Sequence, residues 1–457
     1  MSQTAQSGRL PAPVPGIASA LVWGAGQLLN RQAGKAAFFF AFFALTVGWE
    51  LLSGNYYAGM QFAPDKNGGF FVHGLWGLFT LGTRAQQMTL TGLTDGDNSI
   101  MLMANGLIAL LTLGLLAIVW IWSVRDAAAY RAALNAGAAP ERSAVYFRRI
   151  WDSAFAYIVL SPGLILIVFM SVLPVLFGIL VAFTDYNRDN LPPKNLVSWV
   201  GFENFALLFN VPSWTSTFVG VLGWTVVWAL LSTITAYAAG FLQAVLLSSR
   251  LVKAPRVWRS IFLLPWAVPG IVSALVFRSM FNGQFGPVSQ WLVDIGLTDE
   301  RVYWFTDASN PNLARGVALI VNLWLGFPFF MALVSGVLTN IPASYYEAAR
   351  MDGATALQQL RHITFPVVHK TVAPLLILAF VSNFNNFGVI YFLTEGGPDN
   401  ADYRFAGSTD LLITWLFKLT VDNRLYNIGA VMSMVIFIIV GTVSVWNLNR
   451  TKAIREL

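Results

Sequence analysis

The amino-acid sequence predicts an all-α, polytopic transmembrane helical bundle of about eight spans. Only 11% of the 457 residues are charged and 56% are hydrophobic, whereas a soluble domain carries about 25% charged residues. Apolar stretches of about 20 residues recur along the chain, and a helix of that length crosses the roughly 30 Å hydrocarbon core of a bilayer. The chain is therefore predicted to be an integral membrane protein.

Eight apolar stretches are interpreted as spans: 36–54, 100–124, 155–183, 217–248, 258–281, 313–338, 370–394 and 428–449. The glycine-rich patch 69–81 is interpreted as interfacial or re-entrant, because a ninth span there would spoil the charge distribution between the loops. We predict two domains. Residues 1–152 form a two-span N-terminal extension that ends in a basic, alanine-rich cytoplasmic linker (125–152), and residues 153–457 form a six-span core.

Lysine and arginine are divided unevenly between the two sides of this bundle. With the N-terminus inside, the inside segments hold 18 of the 28 Lys and Arg residues and the outside segments hold 8. Basic residues are retained on the cytoplasmic side of membrane proteins, so both termini are predicted to be cytoplasmic. These loops explain the net charge of +6, and no nucleic-acid partner is expected.

The composition excludes several kinds of site. The chain has no cysteine, which excludes disulfides and thiolate metal ligands. Its three histidines, His73, His362 and His369, do not form an HExxH pair, and no metal site or catalytic residue is predicted. The GxxxxGK[ST] pattern of a P-loop is also missing. The chain is therefore predicted not to be an enzyme and to hold no cofactor.

The inside loop 339–370 is predicted to form two short helices. Ser344 is a suitable N-cap, and Glu347 three residues later would complete a capping box. Gly353 can adopt the left-handed conformation that ends a helix. The second helix is predicted to start near Thr355 and to stop or bend before Pro366. By physical chemistry alone, this pair is either a docking device for a soluble partner or a stable surface loop.

Polar side chains within the sixth and seventh spans are candidate functional groups, because they are costly in a membrane. Carboxamides donate and accept hydrogen bonds without carrying charge, which suits neutral polyols. Hydrogen bonds between helices would explain the same residues without a ligand. The residues are Asn322, Ser382, Asn383, Asn385 and Asn386; Asn322, Leu325, Gly326 and Phe329 share one helical face, and Asn383 and Asn386 are expected to share another.

The loop 339–370 resembles the coupling loop of ABC importer permeases. Its residues Glu347-Ala348-Ala349, Gly353, Ile363 and Pro366 reproduce the pattern EAA-x(3)-G-x(9)-I-x-L-P, with Phe365 where leucine is usual. The resemblance implies that this loop docks into the ATPase subunit of an ABC transporter. The docking residues that it implies are Glu347, Ala348, Ala349 and Gly353.

Residues 150–450 resemble the MalF-type subunit of maltose/maltodextrin ABC importers. The resembling segments include VGFENF, FLLPWAVPGIVSALVFRSMFNGQFG, SNFNNFGVIYFLTEGGPD and AGSTDLLITW. The resemblance implies a type I ABC importer permease core in the cell (inner) membrane. One departure is that only residues 185–216 separate the first two core spans, where some members carry a large periplasmic domain.

The resemblance also implies which residues contact the sugar: Asn322, Leu325, Gly326, Phe329, Ser382, Asn383, Asn386 and Gly388. Phe329 stands where the family has tyrosine, which removes a hydroxyl. Ser382 and Gly388 replace a phenylalanine and a valine, and both changes enlarge the space. The substrate is expected to be maltose, a maltodextrin or a related oligosaccharide, and trehalose or another glucoside remains an alternative.

The implied partners are a MalG-type second permease subunit, two ABC ATPase subunits that bind ATP and Mg, and a periplasmic or extracellular sugar-binding protein. ATP hydrolysis on the ATPases would drive alternating access. Pairing of the core with itself stays open. An ion-coupled secondary transporter is the main alternative, but intramembrane carboxylates or broken helices in repeated halves are not evident. A membrane-embedded enzyme would need a cluster of catalytic groups at one depth, which is also not evident.

Overall fold

The computed structural model describes residues 10–56, 65–90, 92–249 and 252–450. The chain divides into two compact units, Met1–Gly201 and Phe202–Leu457. The predicted boundary at 152/153 separates an N-terminal extension from a six-span core and does not coincide with the division between the compact units. It stays a prediction. The terminal stretches 1–9 and 451–457, on which the predicted cytoplasmic location of both termini depends, lie outside the described residues.

In its described part, the first unit consists of helices, one small antiparallel hairpin and the loops that connect them. Three of its helical segments are long and apolar enough to cross a bilayer, namely Ala33–Ser53, Ser99–Asn135 and Ser143–Val181. They contain the first three predicted spans except for residues 54, 182 and 183. The elements are α1 Pro13–Leu21, α2 Ala25–Leu29, α3 Ala33–Ser53, α4 Phe70–Thr80, β1 Met88–Thr89, β2 Gly92–Leu93, α5 Ser99–Asn135, α6 Ser143–Ile167 and α7 Leu173–Val181, with a π-helical turn Val168–Val172 joining α6 to α7.

The predicted interfacial patch 69–81 forms α4, a helix of 11 residues. At about 1.5 Å per residue it rises roughly 16 Å, which is half of the hydrocarbon core. Its glycines let it approach α5 closely, since a Cβ at Gly77 would lie 2.9 Å from the Leu102 side chain. The Glu50 carboxylate accepts hydrogen bonds from the first backbone N–H groups of α4 and stabilises its start. The length excludes a full ninth span.

The second unit contains three further continuous helices that are long and apolar enough to cross a bilayer, Pro212–Ser248, Pro311–Thr339 and Ala356–Phe384. The elements are α8 Glu203–Asn210, α9 Pro212–Ser248, α10 Pro255–Ala267, α11 Gly270–Met280, α12 Pro287–Asp294, α13 Pro311–Thr339, α14 Ala343–Met351, α15 Ala356–Gln359, α16 Phe365–Phe384, α17 Phe387–Thr394, α18 Leu412–Phe417 and α19 Tyr426–Arg450. The last predicted span, 428–449, lies within α19. π-helical turns Leu360–Thr364 and Lys418–Asp422 follow α15 and α18.

Two predicted spans are broken. The span 258–281 consists of α10 and α11, which meet at an angle of 89°. Val268 is extended at the break, because the ring of the following Pro269 disfavours helical backbone at the residue before it. The span 370–394 ends at Phe384, and α17 begins separately at Phe387. The expectation of unbroken spans is therefore wrong at these two places.

The core of the second unit is built on α9 and α13. Trp228 on α9 is fully buried, and its indole Nε1 donates a hydrogen bond of 3.1 Å to the backbone carbonyl of Asn383 on α16. The helices approach closely at Gly240, where a Cβ would lie 2.6 Å from the Cβ of Phe330. This packing fixes the relative positions of α9, α13 and α16.

The segments TEGGPD and AGSTDLL form one structure in the loop after α17. The Ser408 N–H donates to the Pro398 carbonyl (2.8 Å), and the hydroxyls of Thr394 and Thr409 lie 2.8 Å apart. Asp410 is 1% exposed and accepts a hydrogen bond of 2.6 Å from Lys418. Gly396 has φ +79° and lies against the Asp410 carboxylate, so a side chain at Gly396 would collide with it. The two segments are therefore held together by direct hydrogen bonds and close backbone packing.

Candidate functional site

A cavity of about 500 Å³ lies within the second unit where the sixth and seventh spans face each other. Its size is within the range of about 300–1,000 Å³ that is usual for small-molecule sites. No lining residue carries a charge. The lining residues are Ala236, Trp266, Asn322, Leu325, Gly326, Phe329, Phe330, Leu375, Leu378, Ala379, Ser382, Asn383, Asn386 and Val389.

Three asparagines form the polar part of the wall. The Asn386 Nδ2 donates to the Asn322 Oδ1 at 3.1 Å, and the Asn322 Nδ2 lies 3.5 Å from the Asn383 Oδ1. The Asn383 Nδ2 in turn donates to the Thr233 hydroxyl at 3.0 Å. Asn322 is 6% exposed, and such buried amides are oriented by their partners. The chain of hydrogen bonds holds three carboxamides in fixed positions at the cavity.

The break after α16 puts Asn386 in this network. Asn385 leaves the helical conformation with φ −104° and ψ 25°. Asn386 is then the N-cap of α17, and its Oδ1 accepts a hydrogen bond of 3.2 Å from the Val389 N–H. Asparagine is favoured at N-caps because its short side chain satisfies a free backbone donor. One side chain thus starts α17 and donates to Asn322.

Aromatic rings cover another part of the wall. The rings of Trp266 and Phe329 lie 6.1 Å apart at an angle of 37°. Aromatic residues offer large apolar faces and are common in ligand sites. Trp266 was missed by reasoning from polar residues alone. Its signal in the sequence is the segment PWAVP, because prolines on both sides of an aromatic residue indicate a bend within a span.

Seven of the eight predicted sugar contacts line the cavity. They are Asn322, Leu325, Gly326, Phe329, Ser382, Asn383 and Asn386. Gly388 does not line it. The expectation that Asn383 and Asn386 share one helical face is wrong, because the helix ends between them. Gly388, which the resemblance implied as a sugar contact, lies in α17, beyond the break.

The loop 339–370 contains the predicted helix pair, but the first cap differs from the prediction. α14 begins at Ala343 after an extended Pro342, and no side chain caps it. The predicted capping box of Ser344 and Glu347 is therefore wrong. The second helix has such a box instead: the Thr355 hydroxyl accepts from the Gln358 N–H, and the Gln358 side chain accepts from the Thr355 N–H at 2.7 Å.

Gly353 ends α14 as predicted, with φ +76°. The Gly353 N–H donates to the Arg350 carbonyl at 3.1 Å, and the Ala354 N–H donates to the Ala349 carbonyl at 2.8 Å. These two bonds define a Schellman motif, which closes the C-terminal end of a helix. The chain then turns directly into α15.

Of the two predicted alternatives, a stop or a bend before Pro366, the stop does not occur. The helix Ala356–Phe384 runs through this position as one 29-residue span. The π-helical turn Leu360–Thr364 widens the helix immediately before the proline. A wider turn leaves room for the proline ring, and the missing N–H of Pro366 lies at the turn where the hydrogen-bond pattern changes. The second helix of the loop 339–370 is therefore continuous with the seventh span.

The predicted docking residues lie on the surface of this loop. Glu347 and Ala348 are exposed, and within the described part of the chain the Glu347 carboxylate has no hydrogen bond or ion pair. The loop is held to the span by Tyr346, whose hydroxyl shares a hydrogen bond of 3.0 Å with the Thr364 hydroxyl. A concavity of about 320 Å³ lies between the two helices and is lined in part by Ala349 and Gly353. The loop thus presents an unpaired carboxylate on a fixed helix.

The described residues contain no cluster of three His, Cys, Asp or Glu side chains that could hold a metal ion. The cavity can accommodate an uncharged, hydroxyl-rich molecule between the spans. Its carboxamides can form hydrogen bonds with hydroxyl groups, and its aromatic rings can cover apolar faces. Separately, the loop 339–370 presents a pair of short helices with exposed residues.

Comparison with known proteins places the chain among transport permeases. The family model described as "Binding-protein-dependent transport system inner membrane component" matches residues 236–451. The galactooligosaccharides transport system permease protein GanP of Bacillus subtilis (strain 168) is 34% identical over 436 residues, which is 95% of this chain and 97% of that protein. The maltodextrin transport system permease protein MdxF of the same organism is 34% identical over 429 residues, 92% of each chain.

The maltose/maltodextrin transport system permease protein MalF of Salmonella typhimurium is 36% identical over 272 residues, but these cover 59% of this chain and 52% of that protein. A crystal structure of a bacterial ABC transporter involved in the import of the acidic polysaccharide alginate has the same fold, with a TM-score of 0.53 and 22% identity over 67% of this chain and 99% of that chain. The predicted resemblance to MalF-type permeases is confirmed. The chain belongs to the family of inner membrane components of binding-protein-dependent transport systems.

Proposed function

We propose that the chain forms one half of the channel of an ABC importer that moves maltose, a maltodextrin or a related neutral oligosaccharide into the cell. The observation that carries the proposal is the uncharged cavity, in which Asn322, Asn383 and Asn386 are held by one another beside the rings of Trp266 and Phe329. Relatives named as maltodextrin permeases support the substrate class.

The absence of charge distinguishes this cavity from a site for an acidic polymer. The alginate importer shares the fold but handles an acidic polysaccharide, as its description states. Burying a carboxylate without a cationic partner is costly, and the lining residues of this cavity include no Lys, Arg or His. A neutral sugar is therefore the better substrate. A galactooligosaccharide is the second candidate, because the relative that covers 95% of the chain is named for that substrate.

The proposed partners follow from the family and the docking loop. A MalG-type permease would complete the channel, and two ABC ATPases would bind ATP and Mg. Glu347 on α14 would contact the ATPase, because it is exposed, unpaired within the described residues and fixed to the seventh span through Tyr346 and Thr364. A sugar-binding protein would deliver substrate on the outside. Both termini would be cytoplasmic, in accordance with the distribution of lysine and arginine.

In the proposed mechanism, ATP binding brings the ATPases together and moves α14 of this chain. The movement would reach α16 through the turn at Gly353 and the Tyr346–Thr364 hydrogen bond, and then along Ala356–Phe384, which is one continuous helix. The cavity then opens to the outside, receives the sugar and returns to the inside after hydrolysis. The chain's own contribution is to bind the sugar and to transmit the movement.

Co-purification tests this proposal. The tagged chain is extracted from native membranes in a mild detergent, and its partners are identified and quantified. We expect an ABC ATPase and a second permease in fixed ratio, and ATP hydrolysis that increases when a sugar-loaded binding protein is added. Recovery of the chain with no ATPase, together with sugar uptake driven by an ion gradient, would contradict the proposal in favour of a secondary transporter.

A further inference from the structure

A second cavity, of about 790 Å³, lies in the first unit and is unrelated to the sugar cavity. Its wall consists of the turn before α3, the last turns of α5 and the loop before α6. We call it the N-terminal cavity. Its lining residues are Leu10, Leu29, Asn30, Arg31, Gln32, Ala33, Gly34, Tyr130, Arg131, Leu134, Pro140, Glu141, Arg142 and Ser143.

The N-terminal cavity is strongly basic. Three arginines, Arg31, Arg131 and Arg142, contribute to its wall. The only carboxylate in this wall, that of Glu141, is paired with Arg149 at 3.1 Å. Among residues that the structure describes, neither Arg31 nor Arg142 has an ion-pair partner. An anion in the cavity would therefore meet two guanidinium groups that are free to form charge-assisted hydrogen bonds.

Buried amides beside the cavity also lack partners. Gln32 is 3% exposed, and neither its Nε2 nor its Oε1 has a hydrogen-bond partner among the described residues. The buried Oδ1 of Asn30 also has no hydrogen-bond partner among the described residues. Buried polar atoms are nearly always satisfied in native proteins. A bound molecule that offers both an acceptor and a donor, such as a phosphate oxygen together with a hydroxyl, would satisfy these amide atoms.

The cavity is held open by contacts that do not use its arginines. Lys35, which is 1% exposed, forms an ion pair of 3.0 Å with Asp126. The Gln27 Nε2 donates to the Ser123 carbonyl at 2.8 Å, and the Asn30 Nδ2 donates to the Ala127 carbonyl at 2.9 Å. These bonds fix the turn before α3 against α5, so a ligand would meet a preformed site.

The position of the cavity points to a lipid. It lies at the first residue of the span α3 and just beyond the end of the predicted span 100–124, on the side predicted to be cytoplasmic. Leu10, Leu29 and Leu134 add an apolar part to the basic wall. Basic pockets at the cytoplasmic ends of membrane helices suit anionic headgroups. We propose that the N-terminal cavity binds the phosphate of an anionic phospholipid whose headgroup carries hydroxyls, such as phosphatidylglycerol.

Native mass spectrometry tests this proposal on the full-length chain in detergent, titrated with phosphatidylglycerol, with phosphatidylcholine and separately with inorganic phosphate. We expect saturable binding of phosphatidylglycerol that weakens about fivefold for each arginine removed in Arg31→Gln and Arg142→Gln. Gln32→Leu is expected to weaken it as well. Arg148→Gln is the matched control, because it removes the same charge from an exposed position outside the cavity.

Three results would overturn the proposal. Equal affinity for phosphatidylglycerol in the double arginine variant would place the lipid elsewhere. Saturable binding of inorganic phosphate that prevents lipid binding would make the ligand a free anion. Lipid binding that appears only after deletion of residues 2–9 would mean that the chain's own N-terminal segment occupies the cavity. None of these outcomes depends on sugar transport, so the proposal stands or fails independently of the proposed function.

Discussion

The Asn386 amide donates to the Asn322 Oδ1 at 3.1 Å in the wall of the cavity between the sixth and seventh spans. The Oδ1 of the same Asn386 accepts from the Val389 N–H and so caps α17. The residue that starts α17 after the break is therefore also the residue that joins it to the sixth span. In the proposed function, sugar binding and the geometry of the broken span are therefore linked at one side chain.

Ser382→Phe should narrow the substrate range. Ser382 lines the cavity, and a phenyl ring there would fill space that the serine leaves free. We expect uptake of long maltodextrins to fall about tenfold, while maltose is less affected, because steric discrimination in an apolar pocket is of this order. Competition between labelled maltose and unlabelled maltodextrins of increasing length measures the change. An identical length profile for wild type and variant would contradict the assignment of Ser382 to the substrate site.

Glu347→Arg should abolish ATPase binding and leave the chain inserted and folded. The side chain is exposed and has no hydrogen bond or ion pair within the described residues, so its replacement costs the fold little. Co-purification of the ATPase measures the effect. Asp152→Arg, at an exposed position on α6, is the control and should retain the ATPase. ATPase bound at wild-type levels by the Glu347 variant would contradict the docking role of this residue.

Thr355→Ala and Ser344→Ala should differ in their effect on helix stability, although both remove a hydroxyl from the loop 339–370. Thr355 caps α15, whereas Ser344 caps nothing. Loss of an N-cap costs about 1 kcal/mol, so amide hydrogen exchange in residues 356–359 should accelerate in the Thr355 variant and stay unchanged in the Ser344 variant. Equal protection in the two variants would show that the capping box of Thr355 and Gln358 does not stabilise the loop.

Lys418→Met should destabilise the loop after α17 in a pH-dependent manner. Burial raises the pKa of Asp410, and the charge of Lys418 opposes that rise. Without the lysine the raised pKa increases further. A carboxyl whose folded pKa is raised contributes stability below its unfolded pKa of about 3.9, and this stability is lost as the pH rises through the folded pKa. The variant should therefore be more destabilised at pH 8 than at pH 5.

The expected cost at neutral pH is about 3 kcal/mol, because a buried carboxylate is left unpaired. Thermal unfolding in detergent at the two pH values measures it. The double variant Lys418→Met/Asp410→Asn removes the charge and should recover part of the stability without the pH dependence. A single variant equally stable at both values would mean that Asp410 is not buried as the structure has it.

The sequence was sufficient for features that depend on composition or on one local motif. Apolar stretches identified the helices that are long enough to cross the membrane, and Gly353 identified the end of α14, because only a few residues tolerate φ +76°. The face of Asn322, Leu325, Gly326 and Phe329 was correct because α13 is unbroken over this region.

Breaks within spans were not predicted, and their consequences were missed with them. Val268 and Asn385 lie in apolar stretches whose hydropathy does not show where a helix ends. The break at Asn385 is stabilised by tertiary contacts, such as that of Asn386 with Asn322, and these depend on residues about 60 positions apart. Trp266 reaches the cavity for the same kind of reason, since the bend before Pro269 directs α10 towards α13.

Uptake of labelled maltose is the most direct test of the central claim, that the asparagine network is a neutral-sugar site. It is measured in cells that lack this chain and carry the wild type, Asn386→Ala or Asn385→Ala. Asn385 is exposed and does not line the cavity, which makes it the matched control. We expect uptake to depend on the chain, to fall about tenfold in Asn386→Ala with the complex intact, as the loss of one or two hydrogen bonds implies, and to persist in Asn385→Ala. Equal uptake by all three, with assembly unchanged, would contradict the assignment of the asparagine network to sugar binding.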